Sequence, residues 1–503
     1  MCPLWGTATR KLLKFGKPDK KMRKYLGKTD KLSYICHGKA DKIRPFNNRK
    51  GDKDMIKRKI DRYLADFFET NKKALMLTGA RQIGKTYSIR RFGHEHFERF
   101  IEINFIENPG LVKVFSKAKN SQDILLRLST VTSQDLIKGS TLVFFDEVQE
   151  CPEIVTAIKF LVEEGSYRYV LSGSLLGVEI KNLRSAPVGY MDVKDMYPLD
   201  FEEFATAVGI NDRIIDALRK HFTEGTAVDE FIHEKMMEVF RLYLIVGGMP
   251  AAVDKYLATN NLQDVMAEQQ AIIRLYKQDI AKYDPDHKLY IQEIFDRIPA
   301  ELDAKNKRFI LKNLNENIKF ARYQNSFLWL KDAGVALPVY NVEEPTVPLI
   351  LSSSRNLFKL FMADIGLLAS LYADGIQLKI LDNEPSINFG SVYENAVAQE
   401  LWAHGFQLYY YNNKRQGELD FVIEQNGEVL PIEVKSGKDY ERHKALTNVV
   451  NSTTYQISKA YVLCNDNVKK VGKITYLPIY MLMFIKKEQK LPTEYSIDLS
   501  GLV

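Results

Sequence analysis

The apolar run Ala74–Thr78 feeds directly into Gly79-Ala80-Arg81-Gln82-Ile83-Gly84-Lys85-Thr86. That spacing, GxxxxGK[ST], leaves few folds open, because it needs a strand to enter, a loop to wrap and a helix to leave. The glycines let the backbone turn its N–H groups inward, which makes a concave anion site. Lys85 adds a point charge for β- and γ-phosphate oxygens, and the Thr86 hydroxyl is a ligand for Mg²⁺. A helix starting near Lys85 would aim its positive end at the same place. The phosphate-binding set is therefore Gly79, Ala80, Arg81, Gln82, Ile83, Gly84, Lys85 and Thr86, and the cofactors it calls for are ATP and Mg²⁺.

A second element fixes the architecture as α/β. Thr141–Phe145 is a continuous apolar run, as a central parallel strand should be, and it ends in Asp146-Glu147. Asp146 is expected to hold Mg²⁺ through water and Glu147 to polarise the attacking water, which makes Glu147 and Lys85 the catalytic pair. Between the two motifs the pattern gives a strand at Arg99–Phe105 and a helix at Asp123–Leu128. A helix at Ile154–Glu163 and a strand at Arg168–Leu171 follow, closing in Ser172-Gly173-Ser174. An extra strand between the motif strands, with Glu beside the strand-end Asp, is the AAA-like arrangement. Ser172 or Ser174 is then placed to sense the γ-phosphate, with Ser174 taken as the nucleotide contact; plain turn chemistry is the alternative.

Charge excludes less than it first suggests. The net +7 comes from the first 54 residues, which carry 16 of the 71 basic and 5 of the 64 acidic residues, net +11. The remainder is net −4, so basicity does not mark the body as a nucleic-acid binder. Residues 1–54 read as a basic, disordered extension: an arm touching nucleic acid, an inert tail or, the favoured reading, sequence upstream of a natural start at Met55-Ile56-Lys57-Arg58. Cys2, Cys36, Cys151 and Cys464 are scattered without CxxC spacing, which fits a reducing cytoplasm rather than a disulfide framework or a zinc site. No apolar stretch reaches the length of a membrane span, so no membrane is expected.

Residues 55–204 are thus read as an AAA-like ATPase core and 205–285 as its helical lid, with helices at Arg213–Phe222, Val228–Ile245 and Leu262–Tyr283. Arg184 and Arg241 are the candidate γ-phosphate arginines, though an ordinary ion-pair role is the simpler reading of both. Residues 286–350 read as a winged-helix-like segment that packs between domains, with DNA reading as the alternative. In residues 351–503 an αβββαβ order places Asp420 on the second strand and Glu433 and Lys435 on the third. This order resembles the PD-(D/E)XK nuclease core, in which two carboxylates and a lysine share a metal site. Alternation puts Glu433 and Lys435 on one face. Glu394 is a third acid, or else the far end of a capping box begun by Ser391.

End to end, the chain resembles a prokaryotic family of AAA-type P-loop ATPases with a C-terminal PD-(D/E)XK-like domain of unknown function. The resemblance rests on Leu77–Thr86, Phe145–Gln149, Tyr197–Phe204, Gly247-Gly248-Met249-Pro250, Tyr393-Glu394-Asn395 and Ile432–Ser436. It implies ATP hydrolysis coupled either to a nucleic-acid-directed C-terminal domain or to a switch that engages a protein partner, with homo-oligomers open. Relatives carry Gly-Arg where this chain has Gly189-Tyr190, which weakens the case for a trans-acting arginine there.

Overall fold

Five buried residues, Ala74–Thr78 (β1), form the strand from which the first half is built. The computed structural model describes residues 56–487 and residue 496, apart from 119, 133–134, 174–188, 284–286, 305–306, 311–319, 373–374, 383 and 385–388. The basic tract 1–54, Ser174 and Arg184 lie outside the described residues. Helix Lys59–Thr70 (α1) precedes β1, and Lys85–His96 (α2) follows the glycine loop. The chain continues through Arg99–Asn104 (β2), Gly110–Phe115 (α3), Ser121–Val131 (α4), Thr141–Asp146 (β3), Pro152–Glu164 (α5), Arg168–Ser172 (β4) and Met191–Asp195 (β5). These strands form one parallel sheet in the order β2-β3-β4-β1-β5. β1 and β3 are buried throughout and mostly apolar because both faces are covered, and β4 lies between them. Ligands of such sheets bind beyond the carboxyl ends of the strands, where the glycine loop and Asp146 both sit. β5 escaped the sequence reading: it is a half-exposed edge strand, Met-Asp-Val-Lys-Asp, with no apolar run to announce it.

The helical segment follows: Phe201–Ala207 (α6), Asp212–Glu224 (α7), Glu230–Val246 (α8), Pro250–Thr259 (α9) and Leu262–Tyr283 (α10). The break between α8 and α9 is Gly247-Gly248. A Cβ on Gly248 would come within 2.1 Å of the Leu199 carbonyl oxygen, so only glycine lets the Leu199 backbone pair with it; Leu199 N–H donates to the Gly248 carbonyl at 2.7 Å. Among the described residues no single helix is long and apolar enough to cross a membrane. α8 and α9 are apolar because they are core: Phe240, Leu244, Ile245, Ala252 and Val253 are all fully buried.

Lys288–Asp303 (α11), Phe320–Asp332 (α12), Ala336–Val342 (β6) and Ser353–Met362 (β7) come next, then Ile365–Leu371 (α13), Ile376–Leu381 (α14) and Phe389–Ala403 (α15). The last stretch runs Tyr409–Asn413 (β8), Gly417–Gln425 (β9), Glu428–Val434 (β10), Lys444–Val450 (α16), Ala460–Cys464 (β11), Lys469–Val471 (β12) and Ile474–Pro478 (β13). The order α15-β8-β9-β10-α16-β11 is the αβββαβ sequence expected. Among the described residues, the strands of the expected winged-helix segment do not stand apart from the C-terminal sheet. β6 pairs antiparallel with β7 but also parallel with β8, so the expected wing is part of the sheet β12-β13-β11-β10-β9-β8-β6-β7. The boundary drawn at 350/351 therefore cuts a hairpin in two. Pairing explains it, since a hairpin edge left open would leave a row of backbone donors and acceptors unmet. One apolar cluster runs from Ile60 through the helices to Ile485, a second fills the ATPase half and a third the C-terminal half, and Asp54–Val503 forms a single compact unit.

Candidate functional site

The glycine loop is held by its residue types. Gly79 has φ 128°, and a Cβ there would lie 2.2 Å from the Met196 carbonyl oxygen. Gln82 (φ 63°) and Gly84 (φ 94°) are also left-handed. Lys85 is buried inside the loop, where Nζ donates to the carbonyls of Gly79 at 2.8 Å and Ala80 at 2.7 Å. Burial lowers its pKa to about 8, against the opposing pull of Glu147 and Asp146. The Thr86 hydroxyl donates to Asp146 Oδ2 at 3.0 Å, so the two expected Mg²⁺ ligands already face each other.

Asp146 is buried at the end of β3 and is the hub. Besides Thr86 it accepts from the Ser172 hydroxyl, from Asn104 Nδ2 at 3.1 Å and from the Glu147 N–H at 3.0 Å. Burial raises its pKa, and the Ser172 bond works against that. Glu147 sits at φ 56°, a left-handed position that costs a non-glycine residue about 1 kcal/mol or more. Its Oε2 accepts from Gln149 Nε2 at 2.6 Å. The residues fit an ATP·Mg²⁺ complex: a donor-lined loop, a lysine within it, and a Thr–Asp pair closing on one side.

Five participants were missed from sequence. Asn104 ends the strand beside β3; a polar residue closing an apolar run next to Asp146 was the available signal. Arg58 donates to the Ile83 carbonyl in the loop at 3.0 Å and to the Tyr197 carbonyl at 2.8 Å, and lies 3.2 Å from Glu203; nothing in its local sequence announced this. From α10, Asp279 takes Arg81 at 2.6 Å and the Tyr276 hydroxyl donates to the Arg81 carbonyl at 3.2 Å. Gly334, in the turn between α12 and β6, packs so closely that a Cβ would lie 3.1 Å from the Ala80 nitrogen. Arg241 instead places its charge beside Tyr393 of α15.

The C-terminal residues also come together, with a difference. The register that pairs Ile432 with Phe421 sets Glu433 across from Asp420. Asp420 Oδ2 accepts from the Val434 N–H at 2.9 Å, and Lys435 Nζ lies 2.7 Å from Glu433 Oε1. Glu433 Oε2 is buried without a partner; burial and then Asp420 push the carboxyl up to about 8. Glu394 is no capping-box residue, because α15 starts at Phe389 and Ser391 lies within it. Its carboxylate turns to Lys307 and Lys359. Lys359 of β7 is fully buried, 2.9 Å from Glu418, 3.5 Å from Glu394 and 3.9 Å from Asp420. An ammonium thus stands among these acids, and among the described residues the ligand atoms of Glu394, Asp420 and Glu433 do not gather within metal-binding reach.

Among curated proteins none matches this sequence. Residues 71–205 match the model of an AAA domain, AAA_14. Residues 237–380 and 389–482 match two domains of unknown function, DUF8612 and DUF4143. Similar solved structures include a Walker-type ATPase of Pyrococcus abyssi, 16% identical, covering 65% of this chain and 98% of its own, with a TM-score of 0.38. Another is the Thermotoga maritima RuvB Holliday junction branch migration motor, 14% identical, covering 58% and 91%, TM-score 0.26. The Aeropyrum pernix ORC1 protein in complex with DNA is 11% identical, covering 65% and 91%, TM-score 0.26. Similarity at these scores carries no argument about what the chain does. The family match and the site geometry agree that residues 71–205 are an AAA-type P-loop ATPase domain.

Proposed function

We propose that the chain binds ATP with Mg²⁺ at Gly79–Thr86 and hydrolyses it, and that the turnover drives a switch read by the C-terminal half. The convergence of Lys85, Thr86, Asp146 and Glu147 at the carboxyl ends of β1 and β3 carries the reading. Lys85 exchanges its two carbonyl partners for phosphate oxygens, Thr86 and Asp146 hold the metal, and Glu147 orients water. Bound Mg²⁺ neutralises charge on the phosphates. Ser172, whose hydroxyl donates to Asp146, would register the γ-phosphate in this reading; Ser174 keeps that role only as a sequence expectation. The test is titration of the full chain with a fluorescent ATP analogue. Lys85→Ala should weaken binding at least tenfold, and equal binding by both proteins would reject the site.

Switching rather than cleavage is favoured by one observation: Lys359 occupies the middle of the acids that a nuclease would give to metal. The wiring runs from the loop through Arg81 to α10, and through Gly334 to the β6 hairpin that joins the second sheet. The expected protein partner would read that sheet. The nucleic-acid alternative predicts Mg²⁺-dependent strand cleavage that Asp420→Asn abolishes, and salt-dependent DNA affinity falling with a log–log slope of about −0.9 per phosphate contact. Observing that cleavage would overturn the switch.

A further inference from the structure

Asp200, Glu400 and His404 lie outside the nucleotide site, and their ligand atoms all fall within 4.8 Å of one another. Glu400 and His404 are one turn apart at the end of α15, with the His404 N–H donating to the Glu400 carbonyl at 2.9 Å. That spacing turns both side chains to one side. Asp200 reaches them from the N-cap of α6, where its Oδ1 accepts from the Glu203 N–H at 2.9 Å.

His404 and Glu400 are each tied by one atom and present another, while Asp200 Oδ2, the oxygen that faces them, is held by the Lys59 ammonium. His404 Nδ1 lies 2.7 Å from the Ile485 carbonyl oxygen. A carbonyl only accepts, so Nδ1 carries the proton and Nε2 faces the cluster as a lone pair. Glu400 Oε2 accepts from the Phe201 N–H at 2.9 Å, which leaves Oε1 to the cluster. His404 Nε2 and Glu400 Oε1 are both buried without a hydrogen-bond partner. The Nε2 is 3.5 Å from Glu400 Oε1 and 3.7 Å from Asp200 Oδ2. His404 Nε2 and Glu400 Oε1, two unpartnered acceptors facing each other, repel unless a cation or a proton lies between them. Donors bound at about 2.0–2.1 Å around a tetrahedral ion stand about 3.3 Å apart, close to the separations present.

We propose that Asp200, Glu400 and His404 form a Zn²⁺ site, with water as fourth ligand, that fastens the end of the ATPase domain to α15. Carboxylates with a backbone-oriented imidazole are a donor set for Zn²⁺ rather than for Mg²⁺, which prefers oxygen alone. Lys59 is the competing cation: its ammonium lies on Asp200 and 2.6 Å from Glu202. Zn²⁺ binding at this site requires the Lys59 ammonium to leave Asp200 Oδ2 and keep Glu202. The site also reaches the phosphate loop. Asp200 and Glu203 form the box that starts α6, Glu203 holds Arg58, and Arg58 donates to the Ile83 carbonyl.

The test uses the full chain, stripped with a chelator, dialysed, and titrated calorimetrically with Zn²⁺ alone in the absence of nucleotide. One Zn²⁺ per chain is expected. His404→Gln and Glu400→Gln should each weaken it at least tenfold, while Asp420→Asn leaves it unchanged. Co²⁺ in place of Zn²⁺ should show the visible bands of a four-coordinate ion in wild type and lose them in either ligand variant. Far-UV circular dichroism checks folding, and Glu400→Gln retains the acceptor for Phe201 should His404→Gln fail to fold. Absence of stoichiometric Zn²⁺, or equal binding by wild type and a folded ligand variant, would overturn the proposal.

Discussion

Replacing Lys359 by Met removes the only charge on a side chain that is fully buried among Glu394, Glu418 and Asp420. Methionine keeps most of the length of the stem, so packing changes little and electrostatics dominate. Breaking a buried pair on one side costs about 3–5 kcal/mol, because the remaining charge is left uncompensated. Lys307 still holds Glu394 from a more exposed position, which places the expected loss near the lower end, ~3 kcal/mol. The loss should depend on pH. Glu433 already has a folded pKa of about 8 against 4.5 for the free side chain, and that of Glu394 is also raised. A carboxyl with a raised folded pKa favours the folded state fully below its unfolded value, and the advantage disappears as pH rises through the folded value. Removing the Lys359 ammonium, which lowers Glu394, raises the Glu394 carboxyl further. The variant should therefore be closest to wild type near pH 5 and furthest from it near pH 8. Urea denaturation followed by far-UV circular dichroism at both values measures this. A loss of the same size at both pH values, or no loss at pH 8, would refute the reasoning.

Gly79→Ala should abolish nucleotide binding and lower the denaturation midpoint, because its Cβ would overlap the Met196 carbonyl at 2.2 Å in a left-handed conformation; wild-type-like binding in a fluorescence titration would contradict the loop geometry. Gly334→Ala puts a methyl group 3.1 Å from the Ala80 nitrogen at φ 69°. It should cost about 1 kcal/mol in stability and weaken ATP several-fold although it lies about 250 residues along the chain from the loop. Unchanged affinity would mean that the α12–β6 turn does not bear on the nucleotide.

The first sheet was legible because a parallel strand covered on both faces must be mostly apolar, and Ala74–Thr78 and Thr141–Phe145 are. The glycine loop was legible because positive φ and close backbone approach leave a spelling. β5 was not, since an edge strand needs no apolar run. Nor was the fusion of the supposed winged helix with the C-terminal sheet. Strand pairing between β6 and β8 is a contact across some 70 residues, and no local pattern records it. The nuclease-like acids were found by alternation on β10, but the lysine that neutralises them comes from β7. Arg58 illustrates the same limit, since its role depends on where Ile83, Tyr197 and Glu203 meet it in space.

Steady-state ATP turnover by wild type and Glu147→Gln, paired with ATP-binding measurements on both, tests the account most directly. Glutamine keeps the shape of the residue at φ 56° and its contact with Gln149 while removing the charge that orients water. Turnover should fall by about 10²- to 10⁴-fold with ATP affinity retained. Undiminished turnover, or loss of ATP binding in a folded variant, would contradict the assignment of this site as the ATPase centre.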